Sequence, residues 1–342
     1  MLVSFVIPAY NASRTISRCL DSIYSLHLKG DDFEVIVVDD CSKDNTCGLV
    51  EQYASKHNNL RLLRQPQNHR QGAARNRGLE IAKGEYVTFV DSDDIILEGI
   101  VAALQLANRS RVDLVYCSCY HEKTPTEVVL KEIDMDESMV MSGIEFCEHY
   151  QHEGVFWFPW GILYRREWLI ELKYPFIEDR QHEDRDWMAY IMSRAGMIAN
   201  SKQPMYRYVC NPNSTCRMPR YSTIFDHVAS GIRHIDLSEQ LKVDCPKLSA
   251  TLYAFGMEEI CHPIRLRNLT KFPWMDNKHL YDTQHLQPLM TDLKRMCSTY
   301  TVPNEVRIVA YCPLLIKLTI FFASPLASFI RKKKHANQWR KG

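Results

Sequence analysis

Asp91-Ser92-Asp93-Asp94 packs three acids into four residues, directly after the apolar run Tyr86-Val87-Thr88-Phe89-Val90 and before an apolar helix. Carboxylates one residue apart at a strand end can face one crevice and hold a hard divalent ion between them. Mg²⁺ or Mn²⁺ suits such oxygen ligands and usually bridges to substrate phosphates. A helix N-cap also favours Asp, which complements the helix dipole, but a cap needs fewer acids than this. Metal binding and helix capping stand side by side on these residues alone.

Asp39-Asp40-Cys41-Ser42 ends a second apolar run, Phe33-Glu34-Val35-Ile36-Val37-Val38. An acid there can accept hydrogen bonds from a nucleotide base or a ribose hydroxyl, as in other nucleotide-binding α/β proteins. Ser42 or Asp44 would cap the helix behind it, and Asp44 reads as structural. In Gly72-Ala73-Ala74-Arg75-Asn76-Arg77-Gly78, small residues let a helix start pack close to a ligand. Arg75 would then offer charge to a diphosphate or hydrogen bonds to a base; the competing account is a solvated basic helix face. Further on stand two Glu-Asp pairs, Glu178-Asp179 and Glu183-Asp184. By themselves they read as a solvated loop whose acids pair with Arg180 and Arg185.

The elements that must position these groups alternate in period. Val3-Ser4-Phe5-Val6-Ile7 is a short β-rich run ended by Pro8, and Asn11 or Ser13 can cap a helix carrying Ile16, Leu20 and Ile23 on one face. A strand at 33–38, a helix near 46–53, a strand at 60–63, a helix near 72–82 stopped by Gly84, and a strand at 86–90 complete the series. This succession predicts an α/β fold, a mainly parallel sheet with helices on both faces. Ligands in such sheets bind beyond the C-terminal strand ends, where Pro8-Ala9-Tyr10-Asn11, Asp39-Asp40 and residues 91–94 all fall. Beyond residue 110 the pattern weakens to a strand at 114–117, a helix at 184–194, a short strand at 205–208, and helices from about 221 to 302.

Four blocks together resemble glycosyltransferase family 2. They are Val6-Ile7-Pro8-Ala9-Tyr10-Asn11, Val37-Val38-Asp39-Asp40-Cys41-Ser42-Lys43-Asp44, Gly72 with Ala74-Arg75-Asn76, and Phe89-Val90-Asp91-Ser92-Asp93-Asp94. They stand in the family's order and at its spacing, within the first hundred residues. The resemblance implies the GT-A fold, a nucleotide diphosphate-sugar donor, a divalent cation (Mn²⁺ or Mg²⁺) and inversion at the anomeric centre. Carried over residue by residue, Pro8, Ala9, Tyr10 and Asn11 would line the base pocket with Asp39, and Asp40 would meet the base. Gly72, Arg75 and Ser92 would also face the donor, Asp91 would lie near the ribose, and Asp93, with Asp91, would hold the metal. Cys41 stands where the family usually has Gly, and its small size predicts little cost.

The family's catalytic base lies in a downstream Glu-Asp pair. The pair before an aromatic-rich helix, Glu183-Asp184 followed by Arg185-Asp186-Trp187, resembles it more closely than Glu178-Asp179 does. Asp184 is assigned as the base and Glu183 as an acceptor-binding neighbour, with Asp179 and Asp186 as the other candidates. The stretch Phe158-Pro159-Trp160-Gly161-Ile162-Leu163-Tyr164-Arg165-Arg166 also looks like the family. Trp160 would stack on an acceptor sugar or else belong to the core. Tyr208 with Asn213-Ser214 resembles a segment that closes over the donor.

The expected division is a catalytic domain over 1–220, with a nucleotide-sugar half at 1–110 and an acceptor half at 111–220, followed by a mostly helical region at 221–342. In this last region, 313–330 is almost uncharged apart from Lys317 and precedes Arg331-Lys332-Lys333-Lys334. Residues 313–334 read first as a helix in a membrane interface, its basic residues on anionic lipid, and otherwise as a core helix or a span. A sugar transferase touching a membrane in this way would act on a lipid-linked or growing glycan in cell-surface polysaccharide synthesis.

With a formal net charge of +1, the 342-residue chain lacks the basic excess of a nucleic-acid binder. Its 12 cysteines show no zinc-site spacing, and no secretory leader precedes the first apolar run. Both features predict reduced thiols in the cytoplasm, with the protein peripheral on the cytoplasmic face of the inner membrane. Two other functions compete: a sugar nucleotidylyltransferase, which would show a Gly-rich phosphate loop after the first strand, and a non-catalytic nucleotide-sugar binder or assembly partner. The donor is expected to be a UDP-sugar and the transferred group a hexosyl or N-acetylhexosaminyl unit.

Overall fold

The computed structural model describes residues 2–124, 126–150, 158–211, 221–264 and 283–299. The chain divides into two compact units, residues 1–212 and 213–342. The 313–334 stretch, Asn213 and Ser214 lie outside the described residues.

The first unit begins β1 (Val3–Ala9), α1 (Ile16–Tyr24), β2 (Phe33–Asp39), α2 (Thr46–Ala54), β3 (Leu60–Arg64), α3 (Arg70–Ile81) and β4 (Tyr86–Phe89). Every residue of β1, β2 and β4 is buried. Strands covered on both faces by crossover helices read as near-continuous apolar runs, which is why these were visible in sequence. The four strands pair in parallel in the order β3-β2-β1-β4. The chain leaves β1 towards β2 on one side and returns to β4 on the other. The C-terminal ends of β1 and β4 therefore flank the crevice where such sheets bind ligands. Pairing of β1 with β4 stops at Val6 and Phe89, followed by a bond from the Val90 N–H to the Val6 carbonyl. Pro8 has no N–H with which to continue that ladder, so the two strands part there.

The remainder comprises β5 (Ile95–Ile96), α4 (Gly99–Ser110), β6 (Leu114–Thr124), β7 (Glu127–Lys131), β8 (Val140–Met141), α5 (Gly143–Tyr150), β9 (Ile162–Arg165), α6 (Arg166–Glu171), α7 (Glu183–Arg194) and β10 (Ile198–Tyr208). The sheet continues from β4 as β9-β6-β10-β5, with β7 on β6 and β8 on β10. β9 runs antiparallel to both β4 and β6, so the sheet is mixed rather than wholly parallel. β6 and β10 are parallel, paired from Ile198 with Leu114 to Tyr208 with His121, and each is several residues longer than the sequence suggested.

The second unit contains α8 (Tyr221–Leu241), α9 (Pro246–Ile264) and α10 (Thr283–Thr299). Helices α8 and α9 touch through Gly231 and Gly256; a Cβ on either would come within 2.6 Å of the other's carbonyl oxygen. Among the described residues, no helix is long and apolar enough to cross a membrane.

Candidate active site

The loops after β1 and β2 form one hydrogen-bonded body. The Asn11 N–H donates to Ser42 Oγ (2.9 Å) and the Lys43 N–H to Asn11 Oδ1 (2.7 Å). The Ala12 N–H donates to Thr46 Oγ1 (2.7 Å) and the Ser13 N–H to Asp44 Oδ2 (3.0 Å). Asn11 thus ties the two loops together rather than capping α1, whose N-cap position is Thr15 and carries no side-chain cap bond. Desolvation opposes ionisation of Asp44, but hydrogen bonds from Ser13 and Thr46 outweigh it and hold its carboxyl down to about 2. Cys41 has φ of 64°, in the left-handed region that favours glycine, which explains why Gly is usual here.

Pro8, Ala9, Tyr10 and Asn11 meet Asp39 and Asp40 across this body: Ala9 is in register with Asp39, and the Asp40 N–H donates to the Ala9 carbonyl (2.8 Å). Asp39 and Asp40 are both buried. Asp39 Oδ2 accepts the Ser42 N–H (3.1 Å). Asp40 Oδ1 accepts Gln65 Nε2 (2.9 Å) and the His69 N–H (2.8 Å), while Asn68 holds the Asp40 carbonyl. Burial raises the Asp40 carboxyl despite these bonds.

The loop 91–94 hangs from the end of β10. The Tyr206 hydroxyl donates to Asp94 Oδ2 (2.6 Å) and accepts the Asp91 N–H (3.1 Å). Asp94 Oδ1 accepts the Val209 N–H (2.8 Å), and Asp93 Oδ2 accepts Asn211 Nδ2 (2.8 Å). Ser92 is half-buried between them. Asp94 is the structural acid of the group, committed at both oxygens. Burial raises the Asp93 and Asp94 carboxyls, and mutual repulsion with Asp91 raises them further. Arg18 donates to the Asp93 carbonyl (2.5 Å).

Among the described residues, no three His, Cys, Asp or Glu side chains form a complete metal cage. Mg²⁺ and Mn²⁺ do not need one, since they take one or two carboxylates together with water and substrate phosphates. Asp91 and Asp93 each keep an oxygen outside the bonds just described, and their repulsion is what a divalent cation relieves. The residues fit the ion.

Helix α3 organises the other wall. Arg75 is 1% exposed, so it is not a solvated basic face. Its guanidinium bridges Asp91 Oδ1 (2.9 Å) and Glu183 Oε1 (2.5 Å) and lies over the Phe176 ring. Asn76 holds both backbone groups of Phe176, accepting its N–H (2.9 Å) and donating to its carbonyl (2.8 Å). His69 Nδ1 meets Asp179 Oδ1 at 2.9 Å. Gly72 is required by close approach, because a Cβ there would lie 2.4 Å from the Ile177 carbonyl oxygen.

These contacts fix the start of α7, whose first turn holds Glu183, Asp184 and Asp186 near the positive end of the helix dipole. Glu183 and Asp186 are buried, and Asp179 is engaged by His69. Asp184 is half-buried and accepts no hydrogen bond from the described residues. Burial and the neighbouring Glu183 push its carboxyl up to about 7, against the pull of Arg75 and Arg185.

Of the two places the sequence leaves open for Trp160, its surroundings favour the core. It is 8% exposed and lies parallel to Phe158, Tyr206 and Tyr208 at centroid distances of 4.7, 4.7 and 5.7 Å. Its ring surface is taken by its own neighbours and offers a sugar little area; Phe158, 38% exposed, is the open ring of the stack. Sequence reasoning assigned no role to Tyr206, Asn211, His69 or Asn76. Asn76 belongs to a recognised block, but the others carry no signal of their own, because their partners lie 110 to 118 residues away.

Comparison with known proteins gives the family and the fold. Residues 4–173 match the glycosyl transferase family 2 profile; Asp184 lies beyond the matched stretch. EpsJ of Bacillus subtilis, an uncharacterised glycosyltransferase, is 30% identical over 311 residues, covering 90% of this chain and 81% of EpsJ. A poly(ribitol-phosphate) beta-glucosyltransferase of Bacillus spizizenii is 37% identical over 152 residues, 43% of this chain but 24% of that protein. The crystal structure of Staphylococcus aureus TarS 1–349 in complex with UDP-GlcNAc superposes with a TM-score of 0.58 at 20% identity, covering 90% of this chain and 83% of that one, and shares the GT-A fold. On its identity to EpsJ across most of both chains, this protein belongs to glycosyl transferase family 2 and is a glycosyltransferase.

Proposed function

We propose that this transferase inverts: it moves a sugar from a UDP-sugar to the hydroxyl of a lipid-linked or growing glycan in cell-surface polysaccharide synthesis. The observation that carries the reading is Asp184. It is a carboxyl poised at about 7, without a hydrogen-bond partner among the described residues, on the same wall as the Arg75 bridge to Asp91. A general base works best with a pKa near the working pH. Glu183 beside it is committed to Arg75, which leaves one base and suits a single displacement.

The nucleoside lies against Pro8, Ala9, Tyr10 and Asn11, with Asp39 and Asp40 accepting hydrogen bonds from base and ribose. Gly72 serves the close approach of Ile177 rather than of the donor. Ser92 allows close approach of the donor, and Asp91 sits at the ribose. A divalent ion on Asp91 and Asp93 would supply positive charge to the departing diphosphate. Asp184 takes the proton of the acceptor hydroxyl as it attacks the anomeric carbon from the face opposite the diphosphate. Arg75 holds Asp91 and Glu183 in fixed relation, so donor and base keep their separation. UDP-GlcNAc in the TarS crystal supports a UDP donor, and the beta product of the Bacillus spizizenii relative supports inversion. The run 313–334 supports a lipid-linked acceptor through its apolar stretch and the basic residues Arg331, Lys332, Lys333 and Lys334 that end it.

The test is nucleotide diphosphate release from a panel of UDP- and GDP-sugars in Mn²⁺, comparing wild type with Asp93→Ala. Slow release from one donor, abolished by chelation and by Asp93→Ala, is expected. Neither release nor metal-dependent nucleotide binding with any donor would overturn the reading.

A further inference from the structure

Tyr206 in β10, and Val209 and Asn211 just beyond it, each reach the loop 91–94, and Tyr206 spans it. Its hydroxyl binds the Asp91 N–H and the Asp94 carboxylate together, the first and last residues of the loop. The turn closes beneath it through the Asp94 N–H on the Asp91 carbonyl (3.0 Å). Tyr206 itself has no room to move. It is 0% exposed, its ring lies 8° from parallel to Trp160, and its backbone pairs with Ile96 on one side and Cys119 on the other.

We propose that Tyr206 is a positioning residue of the donor site: its hydroxyl holds the loop 91–94 in the shape in which Asp91 and Asp93 bind a divalent ion together with the nucleotide diphosphate. The inference rests on the donor reading above. The chemistry of the group matters. An Arg or Lys in its place would satisfy Asp94 equally well, but would cancel the negative field that attracts the cation. A phenol donates to Asp94 and accepts from Asp91 without adding charge. Its ring is locked by the Trp160 stack, so the hydroxyl is held in place without a further ordering cost. Asp94 is the intermediary, buried and bonded at its other oxygen to the Val209 N–H. Groups that orient ligands of a metal in this way typically change its affinity about 10–100-fold when removed.

The experiment uses the full chain as wild type, Tyr206→Phe, Asp94→Asn and the double variant, with UDP and GDP as probes titrated by calorimetry with and without Mn²⁺. Tyr206→Phe keeps the ring and its stack and removes the hydroxyl alone. Expected are a cooperative thermal transition, unchanged metal-free nucleotide affinity, and Mn²⁺-dependent affinity weakened about 10–100-fold. Asp94→Asn keeps one acceptor oxygen for the two donors Tyr206 and Val209, so it weakens the same bond and shows a loss in the same direction. The double variant loses less than the sum of the singles, because both changes act on the bond between the two side chains. Wild-type Mn²⁺-dependent affinity in Tyr206→Phe, equal losses with and without Mn²⁺, or additive losses in the double variant would each overturn the proposal. If Tyr206→Phe does not fold, Asp94→Asn alone decides by the same criteria. Wild type binding neither nucleotide in Mn²⁺ removes the donor reading and this inference together; wild-type binding with an unaffected Tyr206→Phe removes this inference alone.

Discussion

The two walls of the crevice are built differently. The nucleotide-side loops, residues 10–13 and 40–46, are held chiefly by each other, through Asn11, Ser42, Asp44 and Thr46, with Gln65, Asn68 and His69 joining only at Asp40. The base-side segment, residues 176–184, is held mainly from outside, by Asn76, Arg75 and His69 of the chain around α3, some hundred residues earlier. A self-held wall can tolerate the loss of single contacts. A wall suspended from another element transmits any change there directly to Asp184. Nucleoside contacts on the self-held loops should therefore be robust to single substitutions there, and catalysis fragile.

The largest effect expected is at Asp184. Asp184→Asn should lower the transfer rate about 10²–10⁴-fold, the usual contribution of a positioned base, with donor KM little changed. The pH dependence follows from the sign of the shift. The base acts ionised and its carboxyl is raised to about 7, so the wild-type rate should be low in acid, climb through about 7 and level above it. Glu183 and Asp91 favour the protonated form, while Arg75 and Arg185 oppose it. The acid limb should vanish in Asp184→Asn. If the limb persists, the base is another group, and Asp179 or Asp186 returns as a candidate.

Asn76 tests the suspended wall itself. Asn76→Ala leaves the Phe176 N–H and carbonyl without their partner, a loss of about 1–3 kcal/mol for polar groups away from water. The expected outcome is a fall in kcat with metal-dependent nucleotide affinity kept. Equal losses in both would mean that the two walls are one mechanical unit, and that the contrast is only one of sequence distance.

That distance also decides what could be read beforehand. The series from β1 to β4 was legible because each element announces itself by local period and the motifs sit directly on strand ends. β9 was not, although it lies at the centre of the sheet: four residues are too few to show alternation, and its partners β4 and β6 are remote in sequence. Among site residues, the Asp91 to Asp94 cluster and Asp40 are visible because acids at strand ends are unusual. Arg75 was placed near the site, yet its burial between two carboxylates depends on Glu183, 108 residues on. Trp160 stayed open between an acceptor sugar and the core for a related reason: a lone aromatic does not reveal that Phe158 and Tyr206 already lie against it.

The smallest effect is expected on the self-held wall, at Cys41. Its left-handed backbone costs a residue with a Cβ roughly 1–2 kcal/mol. Glycine removes that strain but gives the unfolded chain more freedom, which returns about 0.4–1 kcal/mol of it. The thiol also meets the Pro66 carbonyl at 3.7 Å and receives Lys43 Nζ at 3.2 Å, both exposed contacts of little weight. Cys41→Gly should therefore raise the urea midpoint slightly, by the equivalent of about 0.5 kcal/mol, without changing nucleotide affinity. Asn11, Ser42 and Asp44 keep the loops joined through bonds in which the Cys41 side chain takes no part. A clear loss of nucleotide affinity would show that the thiol is part of the base pocket, and that this wall is less self-sufficient than its hydrogen bonds imply.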